Sequence, residues 1–267
     1  MDVIVNNTRR ILTQGGIALG MGLRQARTVD IAAIAKACDF DWLFIDMEHN
    51  SMDVDRAAQI AAAALGVGIS PIVRVPGHEH YHATRLLDAG AQGVVVPHVD
   101  TAQEAQAIAD NCRYPPAGRR SLAGAMPQLG YKTLSVADST RLVNQEILVV
   151  VMLETPAAIE NADAIAQVPG IDVLLIGTND LCAEMGIHGQ FSHARVEAAY
   201  GTVIEACRRH GKYPGMGGVY DPQLMTRYLG MGMQLVLAGN DLSFLMAGAK
   251  ERASVLRQAA AAAKAAR

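Results

Sequence analysis

The chain has 267 residues, of which 51% are hydrophobic and 18% charged, and its formal net charge is −3. This length accommodates one α/β barrel, and an aromatic content of only 4% is more typical of sheet-and-helix layers than of a β-sandwich. The slightly acidic balance gives no basic surface for nucleic acid or for an anionic membrane, so we expect neither as a partner.

Targeting signals and cysteine motifs are the next classes that the sequence disfavours. No apolar stretch approaches the roughly 20 residues that cross a bilayer, and the first ten residues do not resemble a secretion signal. The four cysteines are dispersed, without the two-residue spacing of a zinc or redox motif. We therefore expect a cytoplasmic protein with reduced thiols.

Short apolar segments alternate along the chain with longer segments of helical spacing. The predicted strands cover residues 17–23, 41–47, 71–75, 93–99, 147–154, 172–177, 213–219 and 234–239. The predicted helices cover residues 28–37, 54–64, 79–89, 101–111, 157–167, 194–210, 222–229 and, in the Ala-rich tail, 242–266. Eight strands, each followed by a helix, predict an α/β fold of the (β/α)8 TIM barrel type, forming one domain over 1–267.

An open doubly wound sheet is the alternative fold. It would need a glycine fingerprint directly after the first strand, and the early glycines Gly15, Gly16, Gly20 and Gly22 lack that spacing. The connection over 112–145 is unusually long. It fits a functional or interface segment and a solvated loop with a short helix equally well.

Polar side chains follow four of the predicted strands: His49, Arg74, Glu154 and Asp180. In a parallel barrel the carboxyl ends of the strands converge, so these side chains would meet at one end. Two carboxylates with open positions suit Mg²⁺ or Mn²⁺. The histidine could then remove a proton α to a ketone, and the arginine could stabilise the resulting enolate.

Each of these residues also has a purely structural interpretation. Glu154 could belong to an ion pair, Asp180 could cap the following turn, Arg74 could neutralise an acid at the rim, and His49 could hydrogen-bond a loop. The histidines in 78–82 follow Pro-Gly at a predicted helix start, where alternate residues diverge, which favours a solvated loop over a metal site. His98, at the end of the fourth predicted strand, is a candidate for substrate binding.

Several segments in register resemble the metal-dependent pyruvate aldolases of the HpcH/HpaI family. They include Phe-Asp-Trp-Leu-Phe-Ile-Asp-Met-Glu-His at 40–49 and Glu-Thr-Pro-Ala-Ala-Ile-Glu-Asn at 154–161. The further similar segments are 72–76, 86–93, 96–97, 113–116 and 176–181. Together they span most of the chain, so the resemblance is far more specific than any single motif.

The resemblance implies a role for each matching residue. Glu154 and Asp180 would bind a divalent ion (Mg²⁺, Mn²⁺ or Co²⁺), His49 would be the base, and Asp88 would raise the basicity of His49. Arg74 would stabilise the enolate oxygen, and the chain around Asn179 and Asp180 would bind the substrate carboxylate. A homohexamer with an exchanged C-terminal helix, here 242–267, is also implied.

The implied reaction joins pyruvate or hydroxypyruvate reversibly to an aldehyde, forming a 4-hydroxy-2-oxoacid. The alternatives are oxaloacetate decarboxylation or acyl-CoA lysis at the same site, and a non-catalytic barrel that binds oxoacids. Three departures from the family pattern concern specificity for the aldehyde, which is the acceptor in this reaction. Met47 stands where glycine is usual, and Met152 stands where glutamine is frequent. Thr178-Asn179 stands where Pro-Ala or Pro-Ser is usual.

Overall fold

The computed structural model describes residues 3–266, so expectations about Met1, Asp2 and Arg267 lie outside the described residues. Within this range eight parallel strands form a closed barrel in chain order, with β8 pairing back onto β1. The strands are β1 (Ala18–Leu23), β2 (Trp42–Asp46), β3 (Ser70–Arg74), β4 (Gly93–Val96), β5 (Leu148–Leu153), β6 (Val173–Gly177), β7 (Tyr213–Gly217) and β8 (Leu235–Asn240). The predicted (β/α)8 barrel is confirmed.

Helices connect the strands and surround the barrel. They are α1 (Asn7–Thr13), α2 (Ile31–Ala37), α3 (Val54–Val67), α4 (His80–Asp88), α5 (Ala102–Cys112), α6 (Val136–Glu146), α7 (Pro156–Glu160), α8 (Ala162–Gln167), α9 (Thr178–Glu184), α10 (Ala194–His210), α11 (Pro222–Met231) and α12 (Asp241–Ala265). A 3₁₀ turn covers Pro127–Leu129. Across residues 3–266, none of these helices has both the length and the apolar character of a membrane span.

The structure departs from the predicted elements at three places. The helix predicted over 157–167 is two helices, because the backbone of Asn161 leaves the helical region at the end of α7. The strand predicted over 93–99 ends at Val96, since Pro97 cannot donate to the ladder and His98 has a positive φ of 54°. Helices α1 and α9 were not predicted, and α6 occupies the end of the long connection, where a short helix was one of the two interpretations.

The barrel interior is filled by side chains from alternating strand positions. One buried cluster includes Trp42, Phe44, Val150 and Leu175, and a larger one lies between the barrel and its helices. The Trp42 indole donates to the Ala18 carbonyl at 3.2 Å, and its ring lies against Gly20 of the neighbouring strand. The interior is therefore a packed core, which leaves the strand ends for chemistry.

We expect Gly20→Ala to destabilise the barrel by about 1–3 kcal/mol, as overpacking of a filled core does. An added Cβ would lie 2.2 Å from Cε2 of Trp42, so the ring would have to move. Gly201→Ala is the matched control, because an added Cβ there meets no atom within 4 Å in the interior of α10. Urea unfolding should show the control stabilised by about 0.5–1 kcal/mol. Equal effects of the two changes would contradict the packing argument.

Candidate active site

A cavity of about 130 Å³ opens at the carboxyl ends of the strands. Its lining includes four of the predicted site residues, His49, Arg74, Asn179 and Asp180. Glu154, which follows β5, lies directly behind Gly177 in the same wall. The sequence-based expectation that these side chains converge is therefore met by residues from β2, β3, β5 and β6.

Arg74 is fixed by two carboxylates at the end of its strand. It pairs in register with Asp46 across β2 and β3, and its Nε and Nη2 donate to the two Asp46 oxygens at 2.9 and 2.8 Å. Its Nη1 lies 2.8 Å from Oε2 of Glu48. Only 7% of Arg74 is exposed, so this bidentate geometry fixes the guanidinium in one orientation.

Asp46 is ionised in this arrangement although its carboxylate is buried. Burial disfavours its charge, but the hydrogen bonds and charge of Arg74 outweigh this effect and lower the pKa of Asp46 below its ordinary value. The pKa of Arg74 is raised in turn, since Asp46 and Glu48 outweigh its own burial. Sequence reasoning missed both acids, although Asp-Met-Glu-His at the end of a buried strand was a visible signal.

Glu154 is a buried carboxylate with one unsatisfied oxygen. Its Oε2 accepts the backbone N–H of His98 at 2.8 Å, whereas Oε1 has no hydrogen-bond partner among residues 3–266. Burial raises the pKa of Glu154, and the negative charges of Asp180 and Glu48 add to this effect. A cation at Oε1 would satisfy the oxygen and relieve the accumulated negative charge.

Gly177 makes room for this carboxylate. An added Cβ at Gly177 would lie 2.6 Å from Glu154 Oε1, and Asp180 follows in the first turn of α9. In the described part of the chain no three His, Cys, Asp or Glu side chains form a metal-binding group. The two carboxylates of Glu154 and Asp180 would suit a hard divalent cation that takes its other ligands from water and substrate.

His98 connects the two acidic walls of the site. Its ring lies between Glu48 Oε1, 3.0 Å from Nε2, and Glu154 Oε2, 3.2 Å from Nδ1. Its positive φ allows the backbone N–H and the ring to face the same carboxylate. The structure therefore shows His98 contacting carboxylates, and its predicted role in substrate binding stays a prediction.

His49 is exposed at the rim of the cavity. Its backbone N–H donates to Asp46 at 3.3 Å, and its Nε2 lies 3.9 Å from Glu48 Oε2. The loop position is therefore set by the same acid that orients Arg74. The imidazole itself remains accessible to a substrate.

Asp88 does not meet His49 within the chain. It is the last residue of α4, and its Oδ1 accepts from Arg120 Nη2 at 2.5 Å. Arg120 is buried over the Tyr114 ring, 4.4 Å from its centroid. Because helices of a (β/α)8 barrel run antiparallel to the strands, the end of α4 lies away from the strand ends that carry His49. Asp88 and His49 therefore do not contact each other within one chain.

The three departures from the family pattern have different environments. Met47 packs in the core, and Met152 lines the cavity with its Sδ 3.9 Å from Arg74 Nη1. The Thr178 hydroxyl donates to the Gly217 carbonyl and bonds the Tyr200 hydroxyl, both at 2.8 Å. Met152 and Asn179 thus face the cavity, whereas the Thr178 side chain joins β6 to β7 and α10.

The histidine-rich segment at 78–82 belongs to a helix start outside the cavity. Helix α4 begins at His80, and the His78 ring bonds the Pro97 carbonyl at 2.8 Å. His80 is exposed and the Tyr81 and His82 rings pack together, 4.4 Å between centroids. The predicted helix start is confirmed.

Comparison with known proteins agrees with this geometry. The family model described as HpcH/HpaI aldolase/citrate lyase matches residues 23–247. A 4-hydroxy-4-methyl-2-oxoglutarate aldolase of Hapsidospora irregularis is 38% identical, over 91% of this chain and 92% of the relative. A hydroxypyruvate/pyruvate aldolase of Pseudomonas aeruginosa is 35% identical, over 95% and 93%.

A solved structure described as an HpcH/HpaI aldolase from Desulfitobacterium hafniense superimposes with a TM-score of 0.88. It is 28% identical, and the match covers 93% of this chain and 96% of that one. The family match begins at Leu23, the last residue of β1, and therefore includes the carboxyl ends of all eight strands. The chain belongs to the HpcH/HpaI aldolase/citrate lyase family of carbon–carbon lyases.

Proposed function

We propose that the protein is a divalent-metal-dependent class II aldolase that reversibly cleaves 4-hydroxy-2-oxoacids to pyruvate, or hydroxypyruvate, and a carbonyl compound. The supporting observation is the buried Glu154 carboxylate, whose Oε1 has no partner in the described chain and whose pKa is raised by burial and by the nearby charge of Asp180. The relatives with aldolase names favour this reaction over thioester cleavage. Glu154 and Asp180 would hold Mg²⁺, Mn²⁺ or Co²⁺.

The bound cation would polarise the 2-oxo group and make the C3 protons of the oxoacid more acidic. Asn179 and Asp180 begin the α9 segment that faces the cavity, and we assign the substrate carboxylate to this segment. Arg74 points its guanidinium into the same cavity from the opposite wall. The substrate is thereby oriented with its 2-oxo oxygen between the two walls.

His49 is the proposed base. In the synthetic direction its imidazole takes a proton from C3 of pyruvate, and the negative charge moves to the C2 oxygen. Arg74 stabilises that oxygen, because Asp46 and Glu48 fix its guanidinium before substrate arrives. C3 then bonds the carbonyl carbon of the acceptor, whose oxygen takes up a proton. Cleavage follows the same path in reverse.

We expect Glu154→Gln to abolish both cation binding and aldol cleavage, because it keeps the shape of the side chain but removes its charge. Binding should be measured with Mn²⁺ alone by calorimetry, and activity as pyruvate release. Glu160→Gln is the matched control, since Glu160 is exposed on the following helix α7. Unchanged Mn²⁺ affinity in Glu154→Gln would refute the assignment of the metal site.

We expect His49→Ala to slow C3 proton exchange of pyruvate in deuterated water by about 10²–10⁴-fold, the usual contribution of a general base. Mn²⁺ binding should be unchanged, since His49 is not a proposed ligand. His80→Ala removes an exposed imidazole outside the cavity and should exchange like the wild type. Undiminished exchange by His49→Ala would show that another group is the base.

We also propose that several copies of the chain assemble, because helix α12 and an apolar groove beside α2 expose apolar side chains in the described chain. Helix α12 has 25 residues and no buried side chain, and it exposes Phe244, Leu245, Met246, Val255 and Leu256. An apolar groove beside α2 is lined by Ile31, Ile34 and Phe40 together with the start of α12. We propose a homohexamer in which α12 packs on another copy, and in which Asp88 assists His49 of a neighbouring subunit.

We expect the double change Leu245→Glu and Leu256→Glu to reduce the particle mass measured by light scattering, since charges would be buried at the contact. Pyruvate C3 exchange should fall with the mass, because Asp88 would no longer reach a neighbour. Glu251→Gln on the same helix is the control and should leave the mass unchanged. A monomeric wild type with full activity would contradict the proposed assembly.

A further inference from the structure

The loop after β1 places the positively charged side chain of Arg24 at the cavity. The proposed reaction gives this side chain no role. Arg24 lines the cavity and is exposed. Its only described side-chain hydrogen bond within residues 3–266 is a long one, from Nη2 to the His49 carbonyl at 3.4 Å. No carboxylate in this part of the chain forms an ion pair with it, in contrast to Arg74.

The backbone that carries Arg24 is firmly anchored. Consecutive N–H groups of Arg24, Gln25 and Ala26 donate to the Asp241 carboxylate at 2.8, 2.9 and 2.6 Å. Asp241 is the first residue of α12. Its carboxylate accepts hydrogen bonds from the backbone of the loop and does not pair with the Arg24 guanidinium. The Arg24 guanidinium is thereby positioned at the cavity while remaining free to bind an anion.

The charges around the cavity indicate which kind of anion would bind to Arg24. Asp46 and Glu48 compensate Arg74, and the proposed cation compensates Glu154 and Asp180. The carboxylate of the pyruvyl half is assigned to the Asn179 segment on the opposite side of the site. An unpaired guanidinium near His49 therefore complements a second carboxylate, on the half of the substrate that leaves as the acceptor.

Tyr220 supplies a second polar group at the same place. It lines the cavity from the loop after β7, and the positive charges of both Arg24 and Arg74 act on its hydroxyl. Partial burial raises the pKa of Tyr220, so the hydroxyl stays protonated and can donate a hydrogen bond. A guanidinium and a phenol together form a suitable pair of donors for a carboxylate.

We propose that Arg24, with Tyr220, binds a carboxylate of the acceptor, so that the preferred substrates are 4-hydroxy-2-oxoacids with an acidic group on C4. This inference rests on the proposed aldolase function and specifies its substrate class. The cavity of about 130 Å³ favours a short acceptor whose carboxylate is close to the reacting carbonyl. An acceptor that is itself a 2-oxoacid meets both conditions.

The test compares two substrates that differ in one group on C4. Cleavage of 4-hydroxy-2-oxoglutarate yields pyruvate and glyoxylate, and cleavage of 4-hydroxy-2-oxopentanoate yields pyruvate and acetaldehyde. The wild type should have the higher kcat/KM for the first. Arg24→Ala should lower that value about tenfold, which is about 1.4 kcal/mol at 25 °C. The value for 4-hydroxy-2-oxopentanoate, which has a methyl group in place of the second carboxylate, should change little.

Two further variants make the comparison specific. Arg24→Lys keeps the charge and should retain part of the preference. Arg27→Ala removes the same charge three residues away, where the side chain bonds the Ala26 carbonyl and does not line the cavity. It should behave like the wild type. An equal loss on both substrates in Arg24→Ala would assign Arg24 a structural role and overturn the inference.

Failure of the inference and failure of the underlying function give different results. If the wild type exchanges the C3 protons of pyruvate but shows no preference for 4-hydroxy-2-oxoglutarate, the acceptor assignment alone is wrong. If it neither exchanges those protons nor cleaves either substrate, the aldolase proposal is wrong and the inference falls with it.

Discussion

The bidentate pair between Arg74 and Asp46 is the interaction on which the geometry of the site depends. Two adjacent strands place the residues opposite each other, and burial makes their separation costly. The same Asp46 carboxylate accepts the backbone N–H groups of Glu48 and His49, so the loop after β2 takes its position from this pair. One ion pair thereby orients both the proposed enolate-stabilising group and the proposed base.

Charge balance explains the remaining architecture of the strand ends. Arg74 compensates Asp46 and Glu48, whereas Glu154 retains a buried oxygen that has no partner within residues 3–266 and feels the charge of Asp180. The divalent cation that we propose would complete this half of the site. Arg24 then remains as the positive group that we propose to bind the acceptor, so the proposed roles divide the cavity into a pyruvyl side and an acceptor side.

The periphery of the barrel carries the features on which the proposed assembly rests. Helix α12 exposes a row of apolar side chains, and Asp88 is paired with Arg120 at the end of α4 rather than with His49. Asp241 connects this periphery to the site, because it begins α12 and binds the loop that carries Arg24. Assembly through α12 would therefore act on the same loop that we propose to bind the acceptor.

The barrel could be predicted from the sequence alone, because eight buried strands alternating with helices leave few other ways to bury both sheet faces. The sequence also located His49, Arg74, Glu154 and Asp180, since polar residues directly after buried strands converge in this fold. It could not determine which of these groups pair. Interatomic distances between strands and loops far apart in the chain decide that Arg74 binds Asp46 and that His98 bridges two acids. They also decide that Arg24 forms no ion pair among the described residues. Those distances are set only when the barrel closes.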